Sequence, residues 1–502
     1  MQRRVPVIVA AVIAAILLTA QSSIIGQNAP PPAPLLSPET TAAYIDAAQR
    51  SLDYLPGQVL VKFKPGATPE GQQRALEVMR SRPLVDSLEW AGDVAIVRDP
   101  LQTDARILAE QLSSQPEVQY AEPNYLAHHL SVPNDTGFGP RQWNLQQLDM
   151  ARAWDINPGG DPSVIIAIVD TGVTTVNETR TFATWNGSAI QIINVPFAVN
   201  PDLPASRLVS PIDFVTSLGT TVLDTDGHGT HVSSTAGEET NNALLDAGIA
   251  YKARIMPVKV CASYWDVQFA FSAAGGRGFV PSDSGGCPFS AVALGVRYAA
   301  DNGAKVINLS LGGTSQSQAM LDALNYALGK GVFIAIAAGN DKEVGNPPNF
   351  PAVYAEQLAG VMAVGATNRS GNRAFYSNTG SYLEIAAPGG DSRDSDNAGS
   401  GFIWQSTILP SVSDQAFVLF PVFDRYGEVA FQGTSQATPH VSGLAALLFT
   451  QGFKTPAQIE QVIKKTAKLI GQPSSPGSAR NDDVGFGLIQ PRTALFGSGI
   501  KK

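Results

Sequence analysis

The sequence predicts a doubly wound α/β domain with a mostly parallel sheet, preceded by a small α+β domain. The main evidence is a set of near-continuous apolar runs beyond Gln142. These runs are SVIIAIVD, RIMPVKV, KVINLSL, GVFIAIAAGN and LAGVMAVGA. Runs that do not alternate with polar residues are typical of strands buried on both faces, as in a parallel sheet covered by helices.

Helical stretches separate the apolar runs and support the same fold class. PFSAVALGVRYAADNG ends at Asn302-Gly303, and SQAMLDALNYALGKG ends at Gly331. Glycine is a common residue just beyond a helix, because it adopts the left-handed conformation there without strain. We expect residues 135–500 to form this large domain, a size that α/β folds allow.

Residues 56–128 predict the smaller domain. QVLVKF, DVAIVRD and EVQYAEPNY are expected strands, and the helical stretches TPEGQQRALEVMRS and TDARILAEQLSSQ lie between them. A strand–helix–strand pattern that occurs twice indicates a ferredoxin-like α+β fold.

The N-terminal residues 1–25 have the pattern of a secretory signal peptide. Two arginines precede an apolar run from Val5 to Ala20, which is shorter than the roughly twenty residues of a membrane-spanning helix. An uncleaved anchor is the alternative. Residues 26–55 are expected to be a Pro-rich linker. We therefore expect a secreted or periplasmic protein without a stable membrane anchor.

The amino-acid composition and net charge argue against some classes of function. Hydrophobic residues make up 44% of the chain and charged residues 15%, which is typical of folded globular protein. The net charge of −9 argues against a general nucleic-acid or anionic-membrane binder.

The chain has two cysteines, Cys261 and Cys287. In an exported protein we expect them to pair across a Gly- and Ser-rich inserted loop, with two buried thiols as the alternative.

Polar residues at the ends of the predicted strands mark a candidate site. Asp170 ends the first apolar run, and Ser310 and Asn340 lie at the ends of two others. Ligands of such sheets bind beyond the carboxyl ends of the strands. A carboxylate there is costly unless it is hydrogen-bonded or functional. These three residues are therefore site candidates.

Two further segments supply a base and a hydroxyl. DTDGHGTHVSS contains His228, and FQGTSQATPHVSG places Ser435 before an apolar helical run. A serine hydroxyl needs an adjacent base that works near neutral pH, and a carboxylate can orient that histidine. A helix N-terminus favours developing negative charge. The alternative for Ser435 is an ordinary loop and helix cap.

The segments IIAIVDTGV, DGHGTHVSS, AAGN and GTSQATPHVSG, together with INLSLGG and AVGATN, resemble the signatures of the subtilisin-like serine proteases. They occur in the family's order, and the resemblance covers about residues 140–496. It implies a secreted serine endopeptidase that acts on protein or peptide substrates through an acyl-enzyme and needs no cofactor for its chemistry. The implied roles are orienting acid for Asp170, general base for His228, nucleophile for Ser435 and oxyanion donor for Asn340.

The resemblance also implies binding residues and a zymogen. Ser310, Leu311 and Gly312 match the segment that pairs with the substrate backbone as an added strand. Ala338 and Gly339 match a wall of the pocket for the residue before the cut. The small domain resembles the family's inhibitory propeptide, whose tail would lie in the active site until it is removed.

The chain departs from the family pattern in several segments. The long segment after Asp170 is expected to lack the acidic residue of the family's strongest calcium site. TNNALLDAG (240–248) resembles the calcium loop, with Asn242 as the candidate ligand and a polar surface loop as the alternative. The sequence therefore assigns no metal-binding residues, and whether a structural calcium ion is present is left open. Segments 261–287 and 391–430 are insertions that could line the cleft.

Other functions are less consistent with these residues. His228 and His231 lack the pattern and third ligand of a zinc site, so His231 and His440 are expected to be packed helix residues. An acid-active peptidase with a Ser-Glu-Asp triad would carry an acid in place of Asn340 and no base like His228. A catalytically inactive relative that serves as a binding module is the remaining alternative, although all four catalytic positions are intact.

Overall fold

The computed structural model describes residues 38–50, 52, 54–101, 103–126, 132–396, 399–409, 421–475 and 478–498. The chain divides into two compact units, Met1–Leu126 and Ala127–Lys502. The expected signal peptide, residues 1–25, lies outside the described residues. Among the described residues, no helix combines the length and apolar character that crossing a bilayer requires.

The first unit is a four-stranded antiparallel sheet with helices. Its elements are α1 (Pro38–Arg50), β1 (Tyr54–Phe63), α2 (Pro69–Leu76), β2 (Glu89–Ala91), β3 (Val94–Arg98), α3 (Ala105–Ser113) and β4 (Val118–Tyr125). The strand order is β2-β3-β1-β4, and each pair is antiparallel. The expected α+β fold is confirmed. Strand β2 escaped prediction because all three of its residues are exposed, so it carries no apolar pattern.

The prediction of a linker over residues 26–55 is wrong for the second half of this range. Helix α1 occupies Pro38–Arg50, and β1 begins at Tyr54. Alanine has the highest helix propensity, and this stretch contains four alanines after its single proline. Ala43 and Ala47 are buried, and Ala47 joins the apolar core of this unit. Tertiary packing therefore adds to the local preference.

The second unit contains a seven-stranded parallel sheet. Its strands are β5 (Ile165–Asp170), β8 (Ile212–Asp213), β9 (Arg254–Lys259), β10 (Val306–Leu309), β11 (Phe333–Ala337), β12 (Val361–Thr367) and β13 (Ile385–Pro388). The order across the sheet is β13-β12-β11-β10-β5-β9-β8. The five apolar runs all form strands, which confirms the doubly wound fold. The short β8 and β13 were not predicted.

Helices surround this sheet. They are α4 (Trp143–Gln147), α5 (Met150–Ile156), α6 (His228–Gly237), α7 (Tyr264–Ala273), α8 (Phe289–Asp301), α9 (Gln318–Gly329), α10 (Thr434–Thr450), α11 (Pro456–Thr466) and α12 (Pro491–Ser498). Helices α8 and α9 end beside Asn302-Gly303 and Gly331 as predicted, and both glycines have positive φ.

Two apolar cores lie on opposite faces of the sheet. Ile166 and Ile168 of β5 belong to the core that includes α6 and α10. Ile165 and Val169 belong to the core that includes α8 and α9. Successive strand residues point to opposite faces, so both faces of β5 must be apolar. This packing fixes α6 and α10 on one face, where both begin near the candidate site.

The insertions form structure of their own. Two antiparallel hairpins are present, β6 (Glu178–Trp185) with β7 (Ile190–Phe197), and β14 (Ile403–Ile408) with β15 (Tyr426–Phe431). The ring of Phe182 in β6 stacks on Phe269 of α7, with centroids 4.3 Å apart. Phe431 of β15 stacks on His231 of α6 at 4.6 Å. The second hairpin therefore packs on the helix that begins with His228.

Candidate active site

An aspartate and a histidine meet at the carboxyl end of β5. Asp170 is buried, and its Oδ1 lies 2.7 Å from His228 Nδ1 and accepts the backbone N–H of Thr171. His228 is the first residue of α6. A Cβ on the next residue, Gly229, would lie 2.4 Å from the carbonyl oxygen of Gly172. Glycine therefore lets the start of α6 approach the end of β5 closely enough for this contact.

The electrostatic environment of His228 favours its charged form. Burial by itself lowers the pKa of the imidazole, but the charge of Asp170 and the hydrogen bond with it act in the opposite direction. Asp226 and Asp224 add to the effect of Asp170, and the pKa of His228 is raised to about 9. A base must be neutral to accept a proton. The arrangement therefore predicts a strong base that becomes available at alkaline pH.

We predict a rise of kcat/KM with pH whose midpoint lies above 6.5, toward 9, because only neutral His228 accepts a proton and its pKa is raised to about 9. The measurement is the pH profile of kcat/KM for a peptide without titratable side chains. An acidic limb with its midpoint at or below the ordinary histidine value would contradict this electrostatic account.

Ser435 and Ser310 form hydrogen bonds with each other at the candidate site. Ser435 is the second residue of α10, and its Oγ donates to the carbonyl oxygen of Ser310 at 3.1 Å. The Ser310 hydroxyl donates to the carbonyl oxygen of Ser435 at 2.8 Å and accepts from Asn308 Nδ2 at 2.9 Å. The start of α10 is thus fixed to the segment that follows β10. This brings two of the predicted site residues into direct contact.

Asn340 is fixed beside the same helix start. Its side-chain oxygen accepts two hydrogen bonds from Thr434, one from the backbone N–H and one from the hydroxyl, both at 2.9 Å. A Cβ built on Gly433 would lie 3.4 Å from Asn340 Nδ2. Because the oxygen is held by Thr434, the amide nitrogen faces the turn that precedes Ser435. An amide donor is therefore held beside the turn that leads to Ser435.

The other predicted binding residues lie at the ends of β10 and β11. Leu311 is half-buried and Gly312 is exposed, directly after Ser310. Ala338 is buried, and Gly339 has φ +105° and donates its N–H to Thr434 Oγ1 at 3.2 Å. A Cβ on Gly339 would lie 2.5 Å from Asn378 Nδ2, so no larger residue fits. Thr434 thereby connects this wall to Asn340.

The remaining helix histidines are packed residues. His231 and His440 are buried, and burial lowers the pKa of His231 to about 3 and that of His440 to about 4. Asn144 Nδ2 lies 2.8 Å from His440 Nε2. Within the described ranges, no group of three or more His, Cys, Asp or Glu side chains is arranged to hold a metal ion. The two imidazoles are therefore neutral structural groups.

Asn242 lies among carboxylates. Its Nδ2 donates to Asp202 Oδ1 at 2.7 Å, and its backbone N–H donates to Asp135 Oδ1 at 3.1 Å. Burial raises the pKa of Asp202 to about 6. The expectation that the segment after Asp170 contributes no matching acidic residue is therefore wrong. Asp202 comes from that segment, and distance along the chain concealed its position beside Asn242.

The two cysteines are joined. The structure links Cys261 to Cys287, 26 residues apart in sequence. Ala262 and Gly286 pair in antiparallel fashion next to the link. The insertion that contains α7 is thus closed at its base.

Two residues of this region were missed in the sequence. Thr434 holds both Asn340 and Gly339, and it stands directly before Ser435 in the segment GTSQ. A hydroxyl next to the predicted nucleophile was the available signal. Asp226 accepts the backbone N–H of His228 at 3.2 Å and is solvent-exposed. Its position two residues before the predicted base was the signal there.

A doubly wound α/β sheet with an Asp–His pair at a strand end and a serine at a helix start is the arrangement of a serine hydrolase. Comparison with known families narrows this class. The subtilase family model matches residues 161–487, and the model of the fervidolysin N-terminal prodomain matches residues 40–124. The chain belongs to the subtilase family and is a subtilisin-like serine protease with a prodomain.

Individual relatives agree with this family. The chain is 30% identical over 435 residues to a thermophilic serine proteinase of Bacillus sp. (strain AK1), covering 86% of this chain and 87% of the relative. It is 34% identical over 340 residues to thermitase of Thermoactinomyces vulgaris, covering 68% and 92%. A solved protease structure from Pseudoalteromonas arctica has a TM-score of 0.53 and 27% identity, covering 74% of this chain and 100% of that one.

Proposed function

We propose that the protein is a secreted serine endopeptidase made as a self-processing zymogen. Asp170 orients the base, His228 is the general base, Ser435 is the nucleophile and Asn340 stabilises the oxyanion. The observation that carries the proposal is the 2.7 Å contact between Asp170 and His228 at the edge of the sheet where α10 presents Ser435. No cofactor takes part in this chemistry.

The proposed reaction proceeds in two halves. His228 Nε2 takes the proton of Ser435 Oγ as the oxygen attacks the peptide carbonyl, and Asp170 stabilises the imidazolium that forms. His228 then gives this proton to the leaving amine, which leaves an acyl-enzyme on Ser435. Water, activated by the same base, hydrolyses the ester. The helix start and the Asn340 amide stabilise the negative oxygen in both tetrahedral states.

Substrate binding uses backbone pairing. We assign Ser310, Leu311 and Gly312 to pair with an extended substrate, and Ala338 and Gly339 to the wall of the pocket for the residue before the cut. The exposed backbone at Gly312 and the fixed position of Gly339 support this assignment. Protein or peptide chains in an extended conformation are therefore the proposed substrates.

The prodomain is proposed to inhibit the enzyme until it is degraded. We place the processing cut between Tyr125 and Pro133, after strand β4. A permanent accessory domain is the alternative. Export through the signal peptide would place Cys261 and Cys287 in an oxidising environment, where the proposed disulfide between them can form and persist. The extracellular protease of Xanthomonas campestris, 30% identical over 413 residues, supports an extracytoplasmic location.

N-terminal sequencing tests self-processing. The wild type and Ser435→Ala are expressed side by side in a protease-free host. The wild type should begin near Leu130, whereas Ser435→Ala should keep residues 57–126 attached. Retention of the domain in both proteins, or its loss at the same bond in both, would show that the enzyme does not cleave itself.

We also propose a structural calcium ion held by Asp135, Asp202 and Asn242. Carboxylate and amide oxygens are ligands that calcium prefers. Asp202 is buried, and in the described part of the chain its Oδ2 has no hydrogen-bond partner. Glu238 and Asp246 are buried near it, and burial raises the pKa of both carboxyls well above their usual values. A bound cation would stabilise the ionised form of these carboxyls, so the donor set fits a calcium ion.

Removal of calcium is expected to lower the melting temperature by about 5 °C, since saturation at a hundred times Kd contributes about 2.7 kcal/mol. The measurement is thermal unfolding with excess calcium and with EDTA. Asp202→Asn should remove the difference between the two conditions, and Asp322→Asn, at an exposed position of α9, should retain it. An equal melting temperature of the wild type in both conditions would refute the calcium site.

A further inference from the structure

The insertion between the two cysteines places a carboxylate against a buried lysine. Lys259 is the last residue of β9, and its side chain is 1% exposed. Its Nζ lies 2.8 Å from Oδ2 of Asp266, which belongs to the first turn of α7. A buried ammonium needs a partner, because the transfer of an unpaired charge out of water is costly. Among the described residues, Asp266 is the one whose carboxylate forms an ion pair with Lys259.

Asp266 is held in place by the start of its own helix. The Ser263 hydroxyl accepts the backbone N–H of Asp266, and Oδ2 of Asp266 accepts the backbone N–H of Ser263 at 2.9 Å. The Ser263 hydroxyl also lies 2.7 Å from the hydroxyl of Thr225. Further along α7, the ring of Phe269 stacks on Phe182. The insertion therefore presents its carboxylate to β9 in a fixed geometry.

The ammonium of Lys259 reaches the segment that connects the catalytic pair. Its Nζ donates to the carbonyl oxygen of Thr171 at 2.9 Å. The backbone N–H of Thr171 donates to Oδ1 of Asp170 at 2.7 Å. The Thr171 hydroxyl accepts the backbone N–H of Gly229, the residue after His228, at 2.8 Å. Lys259 thus contacts the residue that joins the end of β5 to the start of α6.

Other carboxylates lie around this pair on the neighbouring elements. Asp170 of β5 and Asp213 of β8 are the register partners of Lys259 in the sheet. Asp213 accepts backbone N–H groups of its own loop, and Asp170 is paired with the base. Asp224 and Asp226, in the loop before α6, act on the base together with Asp170. The carboxylate of the insertion is therefore the group that balances the buried ammonium.

We propose that Asp266 is a positioning residue of the active site. It neutralises the ammonium of Lys259, which then orients the segment after Asp170 without adding net positive charge beside the base. The proposal rests on the proposed peptidase function and deepens it, because it gives the disulfide-closed insertion a part in catalysis.

Loss of this carboxylate has an effect of defined sign. Without Asp266 the charge of Lys259 is uncompensated and disfavours the imidazolium of His228, so the pKa of the base falls. The base is then neutral at lower pH, but it takes the proton of the nucleophile less effectively. We expect the acidic limb of the pH profile to move down by about one pH unit and kcat on the plateau to fall by about tenfold, with KM nearly unchanged.

The test is the pH profile of kcat/KM for a peptide without titratable side chains, after an added protease has removed the prodomain. The wild type is compared with Asp266→Asn, with the double variant Lys259→Met/Asp266→Asn and with Glu384→Gln. The double variant lacks both charges, so it leaves no unpaired buried ion. Glu384→Gln is the matched control, because it breaks another partly buried ion pair, 2.7 Å from Lys464, beside β13 at the other edge of the sheet.

Asp266→Asn should lower the midpoint by about one pH unit, and the double variant should return it close to the wild-type value. Glu384→Gln should keep the wild-type midpoint and kcat. If Asp266→Asn does not fold, the double variant should still fold and show the wild-type midpoint, and its failure to fold would overturn the proposal. An unchanged midpoint in folded Asp266→Asn, or the same shift in the double variant, would overturn the positioning role alone. Failure of the wild type to cleave the peptide would overturn the peptidase function and this proposal with it.

Discussion

Ser435→Ala is expected to reduce peptide turnover by about 10⁶-fold, the scale known for the triad of subtilisin itself. The alanine leaves no oxygen to form the acyl-enzyme, so the two-step reaction is lost altogether. Among the described residues the hydroxyl donates one hydrogen bond, to the carbonyl oxygen of Ser310, and α10 is anchored by a largely buried apolar run. The variant should therefore fold normally.

The measurement is kcat with a fluorogenic peptide, after the prodomain has been removed from both proteins by an added protease. Ser163→Ala is the matched control, because it removes an exposed hydroxyl before the amino end of β5. His228→Ala should cost about as much as Ser435→Ala, and the double variant hardly more, since the two groups act as a unit. Robust hydrolysis by purified Ser435→Ala would refute the assignment of the nucleophile.

Asn340→Ala is expected to lower kcat by about 10²–10³-fold, again the scale known for the oxyanion-hole asparagine of subtilisin. Thr434 holds the side-chain oxygen of Asn340 through two hydrogen bonds, which orients the amide nitrogen toward the turn before Ser435. Such a donor acts on charge that develops in the transition state, so KM should change little.

Steady-state kinetics on the purified variant separates these parameters. Asn325→Ala, an exposed position on α9, is the matched control and should behave as the wild type. A loss that appears in KM with kcat unchanged would assign Asn340 to ground-state binding and exclude the oxyanion role.

The buried strands and the residues at their ends were predictable from the sequence, because both signals are local. An apolar run of five or six residues between helices has few alternatives to a buried parallel strand, as β5, β9 and β11 show. Asp170 stood out because a carboxylate ends such a run. The pairing of Asp170 with His228 was an expectation from chemistry, and the structure brings the two side chains into contact.

Features that depend on contacts between distant segments were not predictable. Asp202 and Asn242 are 40 residues apart, and neither has a local pattern that indicates the other. The hairpin of β14 and β15 is stabilised by packing on α6, as in the stacking of Phe431 on His231. Helix α1 was hidden by the prolines before it, although its alanines favour a helix. In the first two cases tertiary packing, rather than local sequence, decides the structure, and in α1 it adds to a local helix preference.

Labelling with a fluorophosphonate tests the central claim most directly, since this reagent forms a stable adduct only with a serine that an adjacent base activates. The mature wild type is treated, digested and analysed by mass spectrometry. We predict a single adduct on the peptide that contains Ser435, and none in Ser435→Ala or His228→Ala. An unlabelled but folded wild type, or an adduct on another serine, would contradict the proposed Asp170–His228–Ser435 site.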